Sequence, residues 1–237
     1  MSKLDNFSKV KVLVIGDVML DKYLWGEVTR ISPEAPVPVV RLKETGFIAG
    51  GAANVAANIA GLGAIARIIG IVGRDAEGEM IKETLEKSGV SSADIVTSET
   101  RRTTVKTRII AHQQQIARLD EETCVELNAE EESAVWEVFV EAAAETHIFI
   151  VSDYQKGVLS QSLLSRLIKY AKSAGKKIFI DPKGRDYTKY RGATLITPNK
   201  FELAEVCGCR ADEAANLNGA GEKLLSELGL EAIVITR

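Results

Sequence analysis

The chain has 237 residues, 46% of them hydrophobic and 27% charged, which is typical of a globular protein and argues against a disordered one. Its 30 basic and 33 acidic side chains nearly cancel to a formal charge of −3, which argues against a general binder of nucleic acid or anionic membranes. Its apolar runs are far shorter than the ~20 residues of a membrane span, and its first residues lack a signal-peptide pattern, so we expect neither a membrane segment nor export.

Short segments rich in Val and Ile alternate with amphipathic segments along the chain. The Val/Ile runs are mostly continuous and end in a polar residue or turn, which is typical of strands buried on both faces of a parallel sheet. The clearest helical pattern covers residues 160–174, and Gly175 follows it as a helix C-cap. The alternation predicts an α/β fold. The predicted strands are 10–17, 147–153, 177–181, 193–199 and 232–237, and the further helices are 77–89, 129–145 and 211–229.

Two segments interrupt the alternation and predict a small accessory sheet, or lid, inserted into the α/β domain. Residues 22–48 contain three of the five prolines, which favour extended structure over helix. Residues 98–120 are strand-like from Thr103 onward, with a turn expected near His112. The alternative interpretation is a pair of ordinary surface hairpins.

Polar residues stand at the ends of four predicted strands. In open parallel sheets, ligands bind at the carboxyl ends of the strands. Three acidic groups at one edge would repel one another unless cations offset them, and Lys156 and Lys183 follow two of them closely. Each Asp alone could be a helix cap or turn former, but their shared position predicts a shared site. The four residues are Asp17, Asp153, Asp181 and Asn199.

Glycines concentrate in residues 46–78, which hold eight of the 19 in the chain. Residues 49–54 (AGGAAN) lead into a small-residue helical run at 55–62, and a helix N-terminus offers free N–H groups to a ligand. The segment is neither a Walker loop nor a dinucleotide-binding fingerprint. Tight helix packing is the alternative explanation.

Asn199 and Glu202 are three residues apart, so they share the first turn of the helix that follows the fourth predicted strand. An amide and a carboxylate at this spacing can hold phosphate and hydrated Mg²⁺. A capping box, which needs no ligand, uses the same spacing.

Three cysteines, Cys124, Cys207 and Cys209, form no even disulfide framework and predict a reducing, cytoplasmic environment. Cys207 and Cys209 could be half of a metal site. Because His112 and His147 are the only histidines, ordinary thiols are the favoured interpretation.

In their order along the chain, these motifs resemble the ribokinase-like (pfkB) sugar kinases. The residues after the first strand, the lid insertion, the AGGAAN segment and the Asn199-x-x-Glu202 pair all occur in family order. Within that family, several segments are similar to a subgroup, the D-glycero-β-D-manno-heptose-7-phosphate kinases, which often form the N-terminal half of bifunctional ADP-heptose synthases. These segments are 16–40, 50–58, 114–120, 152–157, 181–184 and 190–199.

The resemblance implies a three-layer sandwich with a mostly parallel central sheet and a small β lid. It also implies roles for individual residues in a sugar-phosphate and ATP site. Sugar hydroxyls would contact Asp21, Gly50, Gly51 and Asn54, with Asp17 shaping the same pocket. The cleft between sugar and phosphates would be lined by Asp153, Lys156, Asp181 and Lys183.

The phosphate groups need further partners under the same resemblance. Asn199 and Glu202 would serve ATP and Mg²⁺, Glu202 through water. The 7-phosphate needs cations, and the lid offers Lys106, Arg108 and Arg118, for which a solvated strand face is the alternative.

The implied reaction transfers the γ-phosphoryl group of ATP to O1 of the heptose 7-phosphate, on the route to ADP-heptose and the lipopolysaccharide core. A homodimer joined through lid strands is implied as well. The alternatives are a kinase of another sugar or nucleoside, and a non-catalytic sugar-phosphate-binding or dimerising fragment.

The family's catalytic Asp lies in a later G-A-G-D motif, which would fall after Arg237. Residues 219–222 (GAGE) look similar, but they precede the last predicted strand and end in Glu222. We therefore expect residues 1–237 to be a truncated kinase domain without its catalytic residue, inactive alone, and without a nucleotidyltransferase domain.

Overall fold

The structure is a computed structural model that describes residues 7–210 and 214–236. Within these residues the chain forms eleven strands and six α-helices. The strands are β1 (Lys11–Gly16), β2 (Val18–Ile31), β3 (Pro38–Gly51), β4 (Ile65–Gly73), β5 (Ile95–Ser98), β6 (Thr104–Ala111), β7 (Gln114–Glu121), β8 (Ile148–Ser152), β9 (Lys177–Asp181), β10 (Leu195–Ile196) and β11 (Ala232–Ile233). The helices are α1 (Ala52–Gly61), α2 (Ala76–Lys87), α3 (Ala129–Ala143), α4 (Gln161–Ser173), α5 (Lys200–Cys207) and α6 (Ala214–Leu228).

The central sheet has seven strands in the order β11-β10-β9-β8-β1-β4-β5, and every ladder in it is parallel. The first strand lies inside the sheet, where Val12 aligns with Ile148 of β8 and with Ala66 of β4. The predicted α/β fold with a mostly parallel sheet is therefore confirmed.

Helices cover both faces of this sheet. Successive side chains of a strand point to opposite faces, so Leu13 and Ile15 belong to one apolar cluster and Val12 and Val14 to another. The first cluster packs against α3 and α4, whose Phe139 and Leu163 belong to it, and also includes residues of α5 and α6. The second packs against α1 and α2. Each face thus buries its own core, which fixes the sheet as the middle layer of three.

Two strands of the central sheet, β4 and β5, were not predicted from the sequence. Arg67 interrupts the apolar run of β4, and Gly70 weakens it further. The structure accommodates the arginine because its Nε lies 2.7 Å from Oδ2 of Asp94, just before β5. This long-range ion pair has no local signature in the sequence.

The second sheet, here called the lid sheet, consists of β2, β3, β6 and β7. β2 pairs antiparallel with β3 and parallel with β6, and β6 pairs antiparallel with β7. The β6–β7 turn falls at His112 and Gln113, whose φ angles of 50° and 62° suit a tight hairpin.

The lid sheet joins the central sheet without linkers. One residue, Asp17, separates β1 from β2, and β3 passes directly into α1. The backbone N–H of Ala52 donates to the Asp17 carbonyl at 2.9 Å, which closes the base of the β2–β3 pair.

Other differences from the sequence-based prediction are at element ends. The predicted strands 193–199 and 232–237 shorten to β10 and β11, although Asn199 and Thr236 still form an isolated parallel bridge. Residues 211–213 of the predicted helix 211–229, and residue 237 of the last predicted strand, lie outside the described residues. Among the helices that the structure describes, none combines the length and apolar character needed to cross a membrane.

Candidate active site

The predicted polar residues at strand ends lie along one edge of the central sheet. They follow β1, β8 and β10 or end β9, and these four strands are consecutive neighbours in that sheet. The parallel direction of all four strands brings their carboxyl ends together. The side chains nevertheless have different surroundings, so they have different capacities to meet a ligand. The four are Asp17, Asp153, Asp181 and Asn199.

Asp17 holds the loop that follows β8. Its carboxylate is buried and accepts hydrogen bonds from three backbone N–H groups, those of Tyr154 at 2.7 Å, Lys156 at 3.1 Å and Val158 at 3.2 Å. Burial raises the pKa of the Asp17 carboxyl, and the three hydrogen bonds oppose that rise. Asp17 therefore shapes the site through the Tyr154–Val158 backbone.

Asp153 is also buried, and its carboxylate is already paired although the residue forms part of the wall of the cleft at this edge. Its Oδ2 accepts from the Lys189 ammonium and the Tyr190 hydroxyl, both at 2.6 Å. Neither Lys189 nor Tyr190 was predicted to belong to the site, since both lie far from Asp153 in the sequence, and the resemblance of segment 190–199 gave Tyr190 no role.

Residues after β9 and β10 line a cleft of about 180 Å³ at the same edge. Lys183 Nζ lies 2.7 Å from Oε1 of Glu202. The other Glu202 oxygen accepts from the Asn199 N–H at 2.9 Å, and the Asn199 side chain accepts in return from the Glu202 N–H at 3.0 Å. The capping box considered for this pair is thus present at the start of α5. The Glu202 ion pair raises the pKa of Lys183, so Lys183 is a stable cation beside this cap.

Asp181 is the least satisfied carboxylate of the cleft. It accepts a hydrogen bond of 3.3 Å from the Thr197 hydroxyl. Burial is the main reason that the pKa of Asp181 is raised, and nearby Glu202 adds to the rise. A half-buried carboxylate with weak pairing is suited to receive a cation or a hydrogen-bond donor from a ligand.

Replacing Asp181 with asparagine is expected to stabilise the chain at neutral pH. Because its folded pKa is raised, the stability linked to this carboxyl is complete below its unfolded pKa and is lost as pH rises through the folded value. Each unit by which the folded pKa is raised corresponds to about 1.4 kcal/mol of lost stability at high pH. Urea unfolding of wild type and Asp181→Asn between about pH 8 and pH 4.5 measures the difference, which should shrink as pH falls. Glu205→Gln, an exposed carboxylate paired with Arg185, is the control. A difference that grows at low pH would contradict this assignment.

The base of the lid sheet holds a second group of predicted residues. Asp21 forms an ion pair with Arg108 of the neighbouring strand β6. Gly50 lies directly against it, since a Cβ built on Gly50 would be 2.7 Å from Asp21 Oδ2. Gly51 has a positive φ of 58° and a Cβ there would strike the Asp17 carbonyl, so this position requires glycine, whereas a Cβ at Gly50 would displace the side chain of Asp21 or Met19. Asn54, exposed in the first turn of α1, accepts a hydrogen bond from Asn58 at 3.2 Å.

The predicted lid cations belong to a network of ion pairs. Lys106 Nζ lies 3.2 Å from Asp120 and 3.5 Å from Glu122, and Arg118 forms two hydrogen bonds to Asp120. Lys156, from the loop after β8, lies 2.7 Å from the same Glu122 oxygen. Arg118 lowers the pKa of Asp120, and Lys156 lowers that of Glu122. The structure thus brings Lys106 and Lys156 together through Glu122, which was not predicted.

A sequence profile of the pfkB family carbohydrate kinases matches residues 9–237, nearly the whole chain. The chain belongs to the pfkB family. The resemblance to ribokinase-like sugar kinases is thereby confirmed.

Curated relatives of this pfkB-family chain carry the name "Bifunctional protein HldE". The protein from Methylobacillus flagellatus is 48% identical over 229 residues, which cover 96% of this chain and 47% of the relative. The protein from Desulfatibacillum aliphaticivorans is 44% identical over 230 residues, covering 97% and 47%. The chain therefore spans about half the length of the curated relatives it matches.

Solved structures share the pfkB-family fold. Arabidopsis thaliana ribokinase, solved with ribose and ATP, superposes with a TM-score of 0.71 at 19% identity, covering 95% of this chain and 71% of that one. Phosphofructokinase-2 from Escherichia coli, solved with fructose-6-phosphate, gives a TM-score of 0.74 at 20% identity, covering 95% and 73%. At these identities the likeness shows the fold.

The cleft of this pfkB-family chain fits a magnesium ion held largely by water and phosphate. Asp181 and Glu202 offer the carboxylate oxygens that Mg²⁺ prefers, whereas Asn199 Oδ1 already accepts from the N–H groups of Phe201 and Glu202. Across residues 7–210 and 214–236, no group of three His, Cys, Asp or Glu side chains could hold a metal ion by itself. Mg²⁺ typically uses one or two carboxylates together with substrate phosphates, so this donor set is compatible with it.

Residues 219–222, which resemble the family's catalytic motif, lie within α6. The N–H groups of a helix interior are bonded within the helix, whereas an anion hole needs the free N–H groups of a helix N-terminus. Residues 219–222 therefore do not supply the free N–H groups of an anion hole.

Proposed function

We propose that the protein phosphorylates D-glycero-β-D-manno-heptose 7-phosphate at O1, using ATP and Mg²⁺, on the route to ADP-heptose for lipopolysaccharide. The observation that carries the proposal is the lid base, where the Asp21–Arg108 pair lies directly against Gly50 and next to further cations. A carboxylate beside bare glycine backbone suits sugar hydroxyls, and adjacent cations suit a substrate that already carries a phosphate.

Asp21 is the principal acceptor for sugar hydroxyls in this proposal. Its side chain is 19% exposed, so it is reachable but largely shielded from water. Asn54 adds an amide at the start of α1, and Gly50 and Gly51 leave room for the sugar ring. Together these groups supply acceptors and donors at the junction of the two sheets.

The 7-phosphate would meet the lid cations. Lys106, Arg108 and Lys156 are each largely buried, with side-chain exposures of 15%, 23% and 17%. Arg118 lies opposite Arg108 in the β6–β7 ladder. These four cations pair with three carboxylates, Asp21, Asp120 and Glu122. The seven side chains together carry one net positive charge, which favours binding of a phosphate dianion.

The nucleotide phosphates would lie at the other end of the site, near Lys183, Asn199 and Glu202. Lys183 would contact phosphate oxygens as a point charge, and Glu202 would hold the hydrated metal ion. Mg²⁺, when bound, supplies charge compensation for the phosphates. The lid would exclude water, which would otherwise compete with the sugar hydroxyl for the phosphoryl group.

The G-A-G-D motif, in which the family resemblance places the catalytic Asp, does not occur in the sequence of residues 1–237. We therefore propose that this stretch binds the sugar phosphate and turns over slowly or not at all. We also propose a cytoplasmic homodimer joined through the lid sheet. Three exposed apolar side chains on its strands support the dimer, Ile31 at 60%, Leu42 at 54% and Leu119 at 51%.

Calorimetric titration of residues 1–237 with D-glycero-β-D-manno-heptose 7-phosphate, and then with Mg-ATP, tests the proposal. We expect binding of the sugar phosphate and weaker binding of the heptose that lacks the phosphate. Binding of a nucleoside or of another sugar instead would favour the alternative, a kinase of another sugar or nucleoside. A nucleoside has no need of the lid cations. Turnover by residues 1–237 within about a tenth of the rate of a chain carrying the G-A-G-D region would contradict the proposed inactivity.

A further inference from the structure

Asp153 lies beneath the cleft with both carboxylate oxygens engaged. Its side chain is 1% exposed. Oδ2 accepts from the Lys189 ammonium and the Tyr190 hydroxyl, both at 2.6 Å, and Oδ1 accepts from the Gln155 N–H at 2.8 Å. Lys189 is itself only 17% exposed. The pair therefore buries one negative and one positive charge together, and Asp153 adds no net charge to the site.

The Tyr190 hydroxyl connects two loops of the site. Besides donating to Asp153, it accepts a hydrogen bond of 3.0 Å from the backbone N–H of Lys183. Its ring is fully buried and stays beneath both loops. The loops also touch directly, because the Gln155 side chain packs over Gly184 and a Cβ there would strike its amide nitrogen. The position of the Lys183 backbone thus depends on the Tyr190 hydroxyl.

Resting on the proposed function, we propose that Tyr190 and Lys189 are positioning residues for the nucleotide-phosphate end of the site. Both neutralise Asp153, and Tyr190 also holds the backbone of Lys183, so Lys183 is the cation that the loop after β9 presents to phosphate. The Lys183 side chain is 47% exposed and reaches Glu202 at the cleft. Neutralising Asp153 matters because an unpaired carboxylate next to Asp181 would repel a polyphosphate.

Tyr190→Phe tests this proposal because it removes one hydroxyl and keeps the ring. Asp153 keeps Lys189, whereas the Lys183 N–H loses its acceptor. Amide hydrogen exchange at Lys183 should become about tenfold faster. The affinity for Mg-ATP should fall about 3- to 10-fold, while the affinity for the heptose phosphate stays within about twofold.

Tyr187→Phe is the matched control. Tyr187 is buried beside Tyr190, with ring centroids 5.4 Å apart at 74°. Its hydroxyl has no hydrogen-bond partner in the described part of the chain. Removing it should leave the exchange at Lys183 and both affinities unchanged, and thermal unfolding confirms that each variant is folded.

Equal exchange at Lys183 in the two variants would overturn the proposal. So would an equal loss of both affinities in Tyr190→Phe, because a merely structural role would weaken the whole site. If wild type binds neither ligand, the proposed function fails, and the exchange comparison still decides whether Tyr190 positions Lys183.

Discussion

Replacing Asp17 with alanine is expected to lower the free energy of unfolding by about 3 kcal/mol. The substitution leaves the N–H groups of Tyr154, Lys156 and Val158 without their acceptor in a buried setting. An unsatisfied buried donor costs about 1–3 kcal/mol, and relief from burying the Asp17 charge offsets part of the sum.

Urea unfolding at neutral pH measures this loss. Asp17→Asn is the matched variant, because it keeps one acceptor oxygen of the same shape and should lose about half as much stability. Hydrogen exchange should also show early opening of residues 154–158 in the alanine variant. Equal stability of Asp17→Ala and wild type would show that the loop after β8 is held by other contacts.

Replacing Asp21 with alanine is expected to weaken binding of the heptose phosphate about 100-fold or more. In the proposed function, its carboxylate accepts hydrogen bonds from sugar hydroxyls, and each bond to a charged group contributes about 1.5–3 kcal/mol. The variant also releases Arg108, whose pKa the Asp21 pair raises, so part of the lid changes its charge balance.

Calorimetric titration of wild type, Asp21→Ala and a control variant with the heptose phosphate measures this effect. Glu27→Gln is the control, since Glu27 lies on the same strand, pairs with Lys43 at 3.1 Å and is 52% exposed. The affinity of Glu27→Gln for the heptose phosphate should match that of wild type. A loss below about threefold in Asp21→Ala would remove Asp21 from the sugar contacts.

The sequence predicted the edge of the site because parallel strands end together, and an acidic residue follows or ends three of them. It could not distinguish the three aspartates, which look alike in local sequence. Asp17 is bound by backbone N–H groups, Asp153 by Lys189 and Tyr190, and Asp181 only weakly by Thr197. These partners come from distant parts of the chain, so only the folded arrangement assigns each carboxylate its role.

The fold was predictable where residues follow a strong periodic pattern, as in α4. It was missed in β4, where Arg67 breaks the apolar run and only its partner Asp94 makes burial of the strand tolerable. The lid cations were proposed as site residues from their residue types and the family resemblance, but their pairing with Glu122 and Asp120 depends on strand register. The turn predicted near His112 sets that register only approximately, because the ladder shifts between Ile109 and Ile110, an irregularity that the sequence pattern does not show.

Asp17 links the central sheet, the lid sheet and the loop after β8. The residue joins β1 to β2, its carbonyl accepts a hydrogen bond from the N–H of Ala52, the first residue of α1, and its side chain holds the loop that carries Lys156. Any displacement of the lid sheet at its base would therefore be transmitted through Asp17 to the backbone of this loop. The position of the lid base and the position of the Lys156 backbone are therefore set in part by the same residue.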